Sequence, residues 1–445
     1  MCHSEPILTA SCGSREQPPR VFEPGEIRVF VNEFLQRRDV FLRTSQRHGS
    51  PLYVVEESIL LERAERFTKA FCRTLPDMRV YYAMKSNNHP AVVKTFVDAG
   101  LSLDVSSGME LQIALDCGAT DIVFSGPGKT DRELDLAVAN REWTTVLMDS
   151  RGELQRLQRI AQEKDVRIRA GVRLTTDGEG LWRKFGISLR NLAGFLDATR
   201  KCEHVSVQGL QFHTSWNLEP GAQVNFIARL GDTLRELSPH QQSMVEFVDV
   251  GGGFWPEQGE WLQSYDTTDA LVPLSISGNC HYRRLSVNIE EFADRIAQAV
   301  RVHLLPYVSC RIFTEPGRWL CNDAMHLLLT VVDKKADDLV ITDGGTNAVG
   351  WERFETDYFP VINLSRPELV ERKCHILGSL CTPHDVWGYG YWGKDIQPGD
   401  ILLIPMQGAY TYSLRQEFIK PLPAVVMLSE SGVPTKNSIR DDNER

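Results

Sequence analysis

The chain has 445 residues, 42% hydrophobic and 24% charged, with a formal net charge of −10 at pH 7. That length exceeds one ordinary core and favours two domains of a soluble globular protein, while the acidic balance argues against nucleic acid or an anionic membrane as main partner. No apolar run is long enough to span a bilayer, the first residues lack the apolar centre of a secretory signal, and ten cysteines scattered singly from Cys2 to Cys381 fit reduced thiols in the cytoplasm better than disulfides or a metal site.

Residues 1–20, rich in Ser, Pro and charge, read as a loose arm, and 21–50 as a segment with a helical pattern over Ile27–Arg37 that packs with a β domain. Pro51–Val55 reads as a strand and opens a span, 51–320, in which strand and helix alternate. The expected strands are Arg79–Met84, Leu101–Ser106, Asp121–Ser125, Thr144–Met148, Arg167–Leu174, Val207–His213, Phe247–Val250 and Cys310–Glu315. Helical patterns intervene, among them Ser58–Leu75, Pro90–Ala99, Arg151–Lys164, Val224–Leu237 and Glu290–Leu305. Eight such units favour an α/β fold, a closed (β/α)8 TIM-like barrel, and place functional residues at the strands' C-terminal ends. Trp261–Leu285 is long and irregular and reads as an excursion. From 321 to 428 short β runs follow (His326–Asp333, Asp338–Thr342, Arg372–Leu377, Ile401–Pro405, Ala424–Leu428), predicting a second, all-β domain, and 429–445 reads as a disordered tail.

The chemistry gathers at the strand ends. Lys85 closes the first barrel strand and is followed by turn formers, Ser86-Asn87-Asn88-His89-Pro90. An isolated lysine there ordinarily snorkels to water, but partial desolvation lowers an ammonium pKa and readies the amine to attack a carbonyl. Asp104 ends the next strand, so one strand-helix-strand unit brings an amine and an acid to the same rim. Gly251-Gly252-Gly253 follows a strand, where bare N–H groups can close on a phosphate, although a glycine triplet is more often a tight turn. Thr314-Glu315-Pro316-Gly317-Arg318 ends the last strand with a carboxylate and a guanidinium, and His213 ends Gln211-Phe212-His213.

Tyr82-Ala83-Met84-Lys85-Ser86-Asn87 and Asp104-Val105-Ser106-Ser107-Gly108-Met109-Glu110 resemble the signatures of the pyridoxal phosphate (PLP)-dependent decarboxylases of the alanine-racemase-like fold, the group of diaminopimelate and ornithine decarboxylases. The resemblance covers about residues 50 to 425. It implies pyridoxal 5'-phosphate held by Lys85 as a Schiff base, with Asp104 nearby, His213 stacked on the ring, Glu315 on the ring nitrogen, and Gly251, Gly252, Gly253, Gly317, Arg318 and Tyr410 at the phosphate. An acid at the ring nitrogen makes the ring a strong electron sink, which favours decarboxylation over racemisation. It further implies a homodimer whose sites are shared, with Cys381 reaching the neighbouring subunit's substrate as a candidate proton donor, and with Asp343 and Asp385 as substrate contacts.

Three departures bear on the substrate. After Cys381 the family's acidic reader of a distal amine is replaced by Thr382-Pro383, a form similar to members of specialised pathways. His-x-Gly-Ser appears as His213-Thr214-Ser215-Trp216, which moves or removes the phosphate-binding serine and offers Trp216 as a pocket wall. The usual aromatic-Asn appears as Phe418-Ile419. The reading is decarboxylation of an unusual or conjugated amino acid, L or D, to its amine. Diaminopimelate, ornithine or lysine decarboxylation in primary metabolism is the alternative, and a non-catalytic, decarboxylase-like regulatory protein is the reading from another class.

Overall fold

Eight parallel strands close on themselves in the computed structural model, which describes residues 18–263, 281–350 and 357–429. The expected arm up to 17, the middle of the excursion (264–280) and the tail from 430 lie outside the described residues. In chain order the barrel strands are β1 Arg79–Ala83, β2 Ser102–Val105, β3 Ile122–Phe124, β4 Thr144–Met148, β5 Ile168–Arg173, β6 Val205–Gln211, β7 Phe247–Asp249 and β8 Arg311–Thr314. β8 closes the ring by pairing with both β1 (Thr314 opposite Val80) and β7 (Arg311 opposite Phe247). Every residue of β4 is buried, as a strand covered on both faces requires.

Tyr81, Val123, Leu147, Phe247 and Phe313 fill the barrel's interior, and the rings of Phe247 and Phe313 stack with centroids 4.6 Å apart. Those rings need space. A Cβ at Gly209 would lie 2.5 Å from the Phe247 ring, and one at Gly171 would lie 2.8 Å from Leu147, so both positions are glycine because the core is full. Outside, the helix Arg151–Glu163 begins at Ser150, whose hydroxyl accepts the Glu153 N–H, and turns Leu154, Leu157 and Ile160 onto the strands. Each such buried side chain contributes about 1.5–3 kcal/mol, and together they fix the rim that carries the site.

A second, eight-stranded sheet runs Leu339–Thr342, Glu371–Leu377, Val386–Trp392, Ile362–Asn363, Ile401–Ile404, Met325–Ala336, Leu52–Glu56 and Ala424–Leu428. Leu52–Glu56 departs from expectation. The sequence reading counted it with the barrel, but it pairs antiparallel with Met325–Leu328 and parallel with Ala424–Leu428. Residues 52–55 are fully buried, because the strand sits inside the sheet between two neighbours. Val386–Trp392 was not expected as a strand, since two glycines interrupt its β pattern. Beyond the expected helical pattern, a second helix spans Arg38–His48. The two described ends of the excursion, Glu260–Leu262 and His281–Arg284, pair with each other, and the second of them also pairs with Arg20–Phe22.

Candidate active site

The chain leaves β1 through one 3₁₀ turn, Met84–Ser86, which sets Lys85 on the rim. Its Nζ donates to Asp104 Oδ2 at 2.6 Å, and Asp104 Oδ1 accepts from the Ser125 hydroxyl at 2.5 Å. The turn is fastened from the second sheet's side. Ser413 Oγ donates to the Lys85 carbonyl at 2.8 Å, and the Tyr410 N–H donates to the Ser86 carbonyl at 2.7 Å. The expected fall in lysine pKa does not occur. Burial lowers it, but the carboxylates of Asp104 and Glu315 outweigh burial and hold the ammonium above its ordinary range. Solvent still reaches 32% of the side chain, so that hold is partly screened. Asp104 is pushed up, by burial first and by the charge of Glu315 second, against the pull of Lys85 and Ser125.

Glu315 lies just past the end of β8 and is 2% exposed. Burial raises its carboxyl, yet the balance falls well below the usual carboxylate range, with His213 and then Lys85 pulling down. The direct hydrogen bonds to Glu315 come from Gln211, not from His213. The His213 ring nitrogen is 3.7 Å from Glu315, and that same Nδ1 already accepts the Gly252 N–H at 3.1 Å, whereas Gln211 Nε2 donates to both Glu315 oxygens at 3.2 and 3.3 Å. His213 is held below its ordinary pKa by burial, so its ring is neutral near pH 7. Asp249, at the end of β7, is pushed far above the carboxylate range by burial and by Glu315. Glu315 is therefore the ionised member of this crowded acid pair.

The side chains of Lys85, Arg173, His213, Glu315, Arg318 and Tyr410 meet in one cavity of about 440 Å³, with Gly253 and Gly317 in its wall. Of the predicted residues, the glycine loop is the most tightly determined. A Cβ on Gly251, Gly252 or Gly253 would lie 2.4, 2.1 or 2.2 Å from the carbonyls of Phe212, Glu315 and Thr214, so the loop folds directly onto neighbouring strand ends. The Gly251 N–H donates to Asp249 and the Gly252 N–H to His213, while the Gly253 N–H has no partner among the described residues. The Arg318 guanidinium lies 4.4 Å from the Trp255 ring and 5.0 Å from the Tyr410 ring, and forms no ion pair among the described residues.

Asp343, Cys381 and Asp385 do not line this cavity. They share one corner of the second sheet, where the Ser379 hydroxyl donates to the Asp343 carbonyl at 2.9 Å. Asp343 accepts from the Thr330 N–H at 2.9 Å and the Ser50 hydroxyl at 2.5 Å, and Asp385 accepts from the N–H groups of Thr346 and Leu380, both at 2.7 Å. Both carboxylates are thus committed to neighbouring segments of this chain. Cys381 is exposed.

Sequence reasoning missed Gln211, Asp249, Arg173 and Ser125. All four sit at or within one residue of barrel-strand ends, so a polar residue closing an apolar strand was the available signal. The arrangement suits pyridoxal 5'-phosphate. A lysine amine, an ionised buried acid, an unpaired arginine and a backbone N–H converge, and Gln211 Oε1, Asp249 Oδ2 and Arg173 Nε are buried without hydrogen-bond partners among the described residues.

Residues 60–322 match the family model described as the pyridoxal-dependent decarboxylase, pyridoxal binding domain. The chain is 25% identical over 426 residues to a diaminopimelate decarboxylase of Aquifex aeolicus, covering 90% of this chain and 94% of that one. It is 26% identical over 394 residues to an L-glutamyl-[BtrI acyl-carrier protein] decarboxylase of Niallia circulans, covering 83% and 86%. Among solved structures, the lysine/ornithine decarboxylase of Vibrio vulnificus complexed with putrescine superposes with a TM-score of 0.69 at 19% identity, covering 89% of this chain and 99% of that one.

Proposed function

The chain belongs to the pyridoxal-dependent decarboxylases, and from that premise we propose that it converts an unusual or conjugated amino acid, L or D, to the corresponding amine in a specialised biosynthetic pathway. It is a PLP-dependent enzyme acting on an amino acid. The observation that carries the reading is the rim geometry, with Lys85 Nζ 2.6 Å from buried Asp104 and the ionised Glu315 in the same cavity. When bound, the cofactor supplies an aldehyde for amines and a ring that takes up the electron pair left by the departing carboxylate.

The chain's own residues do the rest. Lys85 Nζ is the attachment point, and Asp104 orients it. Glu315, held in place by Gln211, would supply the ionised carboxylate that keeps the ring nitrogen protonated. Neutral His213, fixed by the Gly252 N–H, would pack against the ring. Arg318 and the Gly253 N–H are the anion donors for the phosphate, with Tyr410 beside them. Lys85 Nζ or Cys381 Sγ would return a proton to the α-carbon.

Cys381 is exposed and outside its own subunit's cavity, which supports a homodimer in which each subunit completes the other's site. No described helix is long and apolar enough to cross a membrane, and we place the enzyme in the cytoplasm. The specialised substrate rests on Thr382-Pro383, which leaves no acid beside Cys381 to read a distal amine. The curated relatives include enzymes for both free and carrier-linked amino acids, so the test is direct. Holoenzyme is incubated with a panel of L- and D-amino acids and acylated diamino acids, and loss of one carboxyl is followed by mass. Racemisation without carbon loss would overturn the assignment of Glu315.

A further inference from the structure

Asn217 is completely buried and staples its loop to the glycine loop. Its N–H donates to the Gly253 carbonyl at 2.9 Å, its carbonyl accepts the Trp255 N–H at 3.2 Å, and its side-chain amide donates to Thr214 Oγ1 at 2.8 Å. The chain must therefore turn between His213 and Asn217 in three residues, and it does so by putting Trp216 at φ +52°, in the left-handed region. For a bulky side chain that conformation costs about 1–3 kcal/mol, whereas glycine or asparagine would adopt it readily. Packing does not explain the tryptophan either. The indole is 37% exposed and belongs to none of the buried apolar clusters, yet it lines the cavity that holds Lys85 and Glu315.

A second tryptophan lines the same cavity. Trp182, on the short turn Gly180–Lys184, packs its ring 5.7 Å from Phe185, over which the buried Arg173 guanidinium lies at 4.4 Å. Charge in the cavity is one-sided. Among the described lining residues Glu315 is the sole carboxylate, and it is buried and engaged by Gln211, while Lys85, Arg173 and Arg318 are cationic. The two acids that a neighbouring copy's corner could have offered, Asp343 and Asp385, are committed to their own loops.

We infer that Trp216, together with Trp182, is the wall against which the substrate's side chain lies, and that it selects amino acids whose distal part is flat and carries no positive charge, an aromatic ring or an acyl-amide extension, over aliphatic diamino acids. This rests on the decarboxylase reading above and names its substrate class. Flat, uncharged groups gain stacking area on indole, whereas a distal ammonium finds no carboxylate among the described lining residues other than Glu315, which is buried and engaged. Indole faces also attract cations weakly, so charge and shape must be separated by experiment.

Lysine and Nε-acetyl-lysine are the matched pair, identical except for the distal charge and the flat amide. Phenylalanine, ornithine and meso-diaminopimelate complete the panel, with both enantiomers of each chiral probe. Steady-state decarboxylation is measured on holoenzyme for wild type, Trp216→Asn and Trp182→Leu, and thermal midpoints are recorded for all three. The expected result is a kcat/KM for Nε-acetyl-lysine or phenylalanine at least about tenfold above that for lysine. Trp216→Asn raises KM for the preferred substrate about tenfold with kcat within about twofold, and leaves the thermal midpoint unchanged or higher because asparagine relieves the backbone. A Trp216→Asn enzyme with unchanged KM and a lower midpoint would make the tryptophan structural and overturn the inference. A wild-type preference for lysine, ornithine or diaminopimelate would overturn the substrate class but leave decarboxylation standing. If no probe loses a carboxyl or perturbs the cofactor's absorbance, it is the decarboxylase reading that falls.

Discussion

The barrel rim and the corner of the second sheet both carry acids that a sequence reader would assign to chemistry, yet the fold treats them differently. At the rim, Asp104 and Glu315 crowd around one lysine amine, and Gln211 and Asp249 keep buried polar atoms without partners among the described residues. At the corner, each oxygen of Asp343 and Asp385 already accepts a hydrogen bond from within this chain. Buried polar atoms left without partners are costly, whereas satisfied ones hold a loop together. The contrast separates a crowded, incompletely satisfied cluster around Lys85 from carboxylates that shape a loop.

Substitutions sharpen that contrast, beginning with the largest effect. Lys85→Ala is expected to lower decarboxylation by a thousandfold or more, on the order of the loss when a covalent group is removed, and to abolish the cofactor's protein-bound absorbance. Glu315→Gln keeps shape and burial but loses the charge, and should lower kcat about 10²–10³-fold with the fold intact by circular dichroism. At the corner the signs reverse. Asp385→Ala should cost about 2–4 kcal/mol in urea unfolding, because two N–H donors lose their acceptor. Cys381→Ala should change stability by no more than about 0.5 kcal/mol while lowering activity. If sites are shared, randomly pairing Lys85→Ala with Cys381→Ala subunits gives about a quarter of wild-type activity from intact sites, since half of the dimers carry one. No gain on mixing would show that Cys381 does not complete a neighbouring subunit's site.

The smallest expected effect concerns pH. The native pKa of His213 lies below its unfolded value, so the unfolded chain binds more protons as pH falls through about 6.5. Stability from this group is present above that pH and is lost on acidification, with a slope of at most about 1.4 kcal/mol per pH unit. Asp104 shifts the other way: its contribution is present in acid and lost as pH rises. Comparing wild type with His213→Gln cancels the Asp104 contribution. The variant should show a flatter fall in thermal midpoint between pH 6.5 and about 5, and an unchanged slope would mean that the histidine binds its proton equally well folded and unfolded.

Most of the barrel was legible because its strands are short apolar runs with polar residues at or just past their ends, and Lys85, Asp104, His213 and Glu315 were visible for that reason. Leu52–Glu56 was misplaced because an apolar strand carries no mark of which sheet will pair with it; that is decided by residues some 270 positions away, such as Met325 opposite Val55. Val386–Trp392 was hidden by its glycines. Asp249 and Arg173 escaped because an acid before a glycine turn, or an arginine closing a strand, looks ordinary until burial shows that Asp249 Oδ2 and Arg173 Nε have no hydrogen-bond partner among the described residues. The strain at Trp216 was unreadable in principle, since φ at that position is set by Asn217 reaching across to the glycine loop.

The central claim is that Lys85 is where the cofactor is attached. Reducing the holoenzyme with borohydride and mapping the modified peptide by mass spectrometry tests it most directly. The label should sit on Lys85 alone and disappear in Lys85→Ala. A label on another lysine, such as Lys129 or Lys184, or retention of label in the variant, would contradict the account.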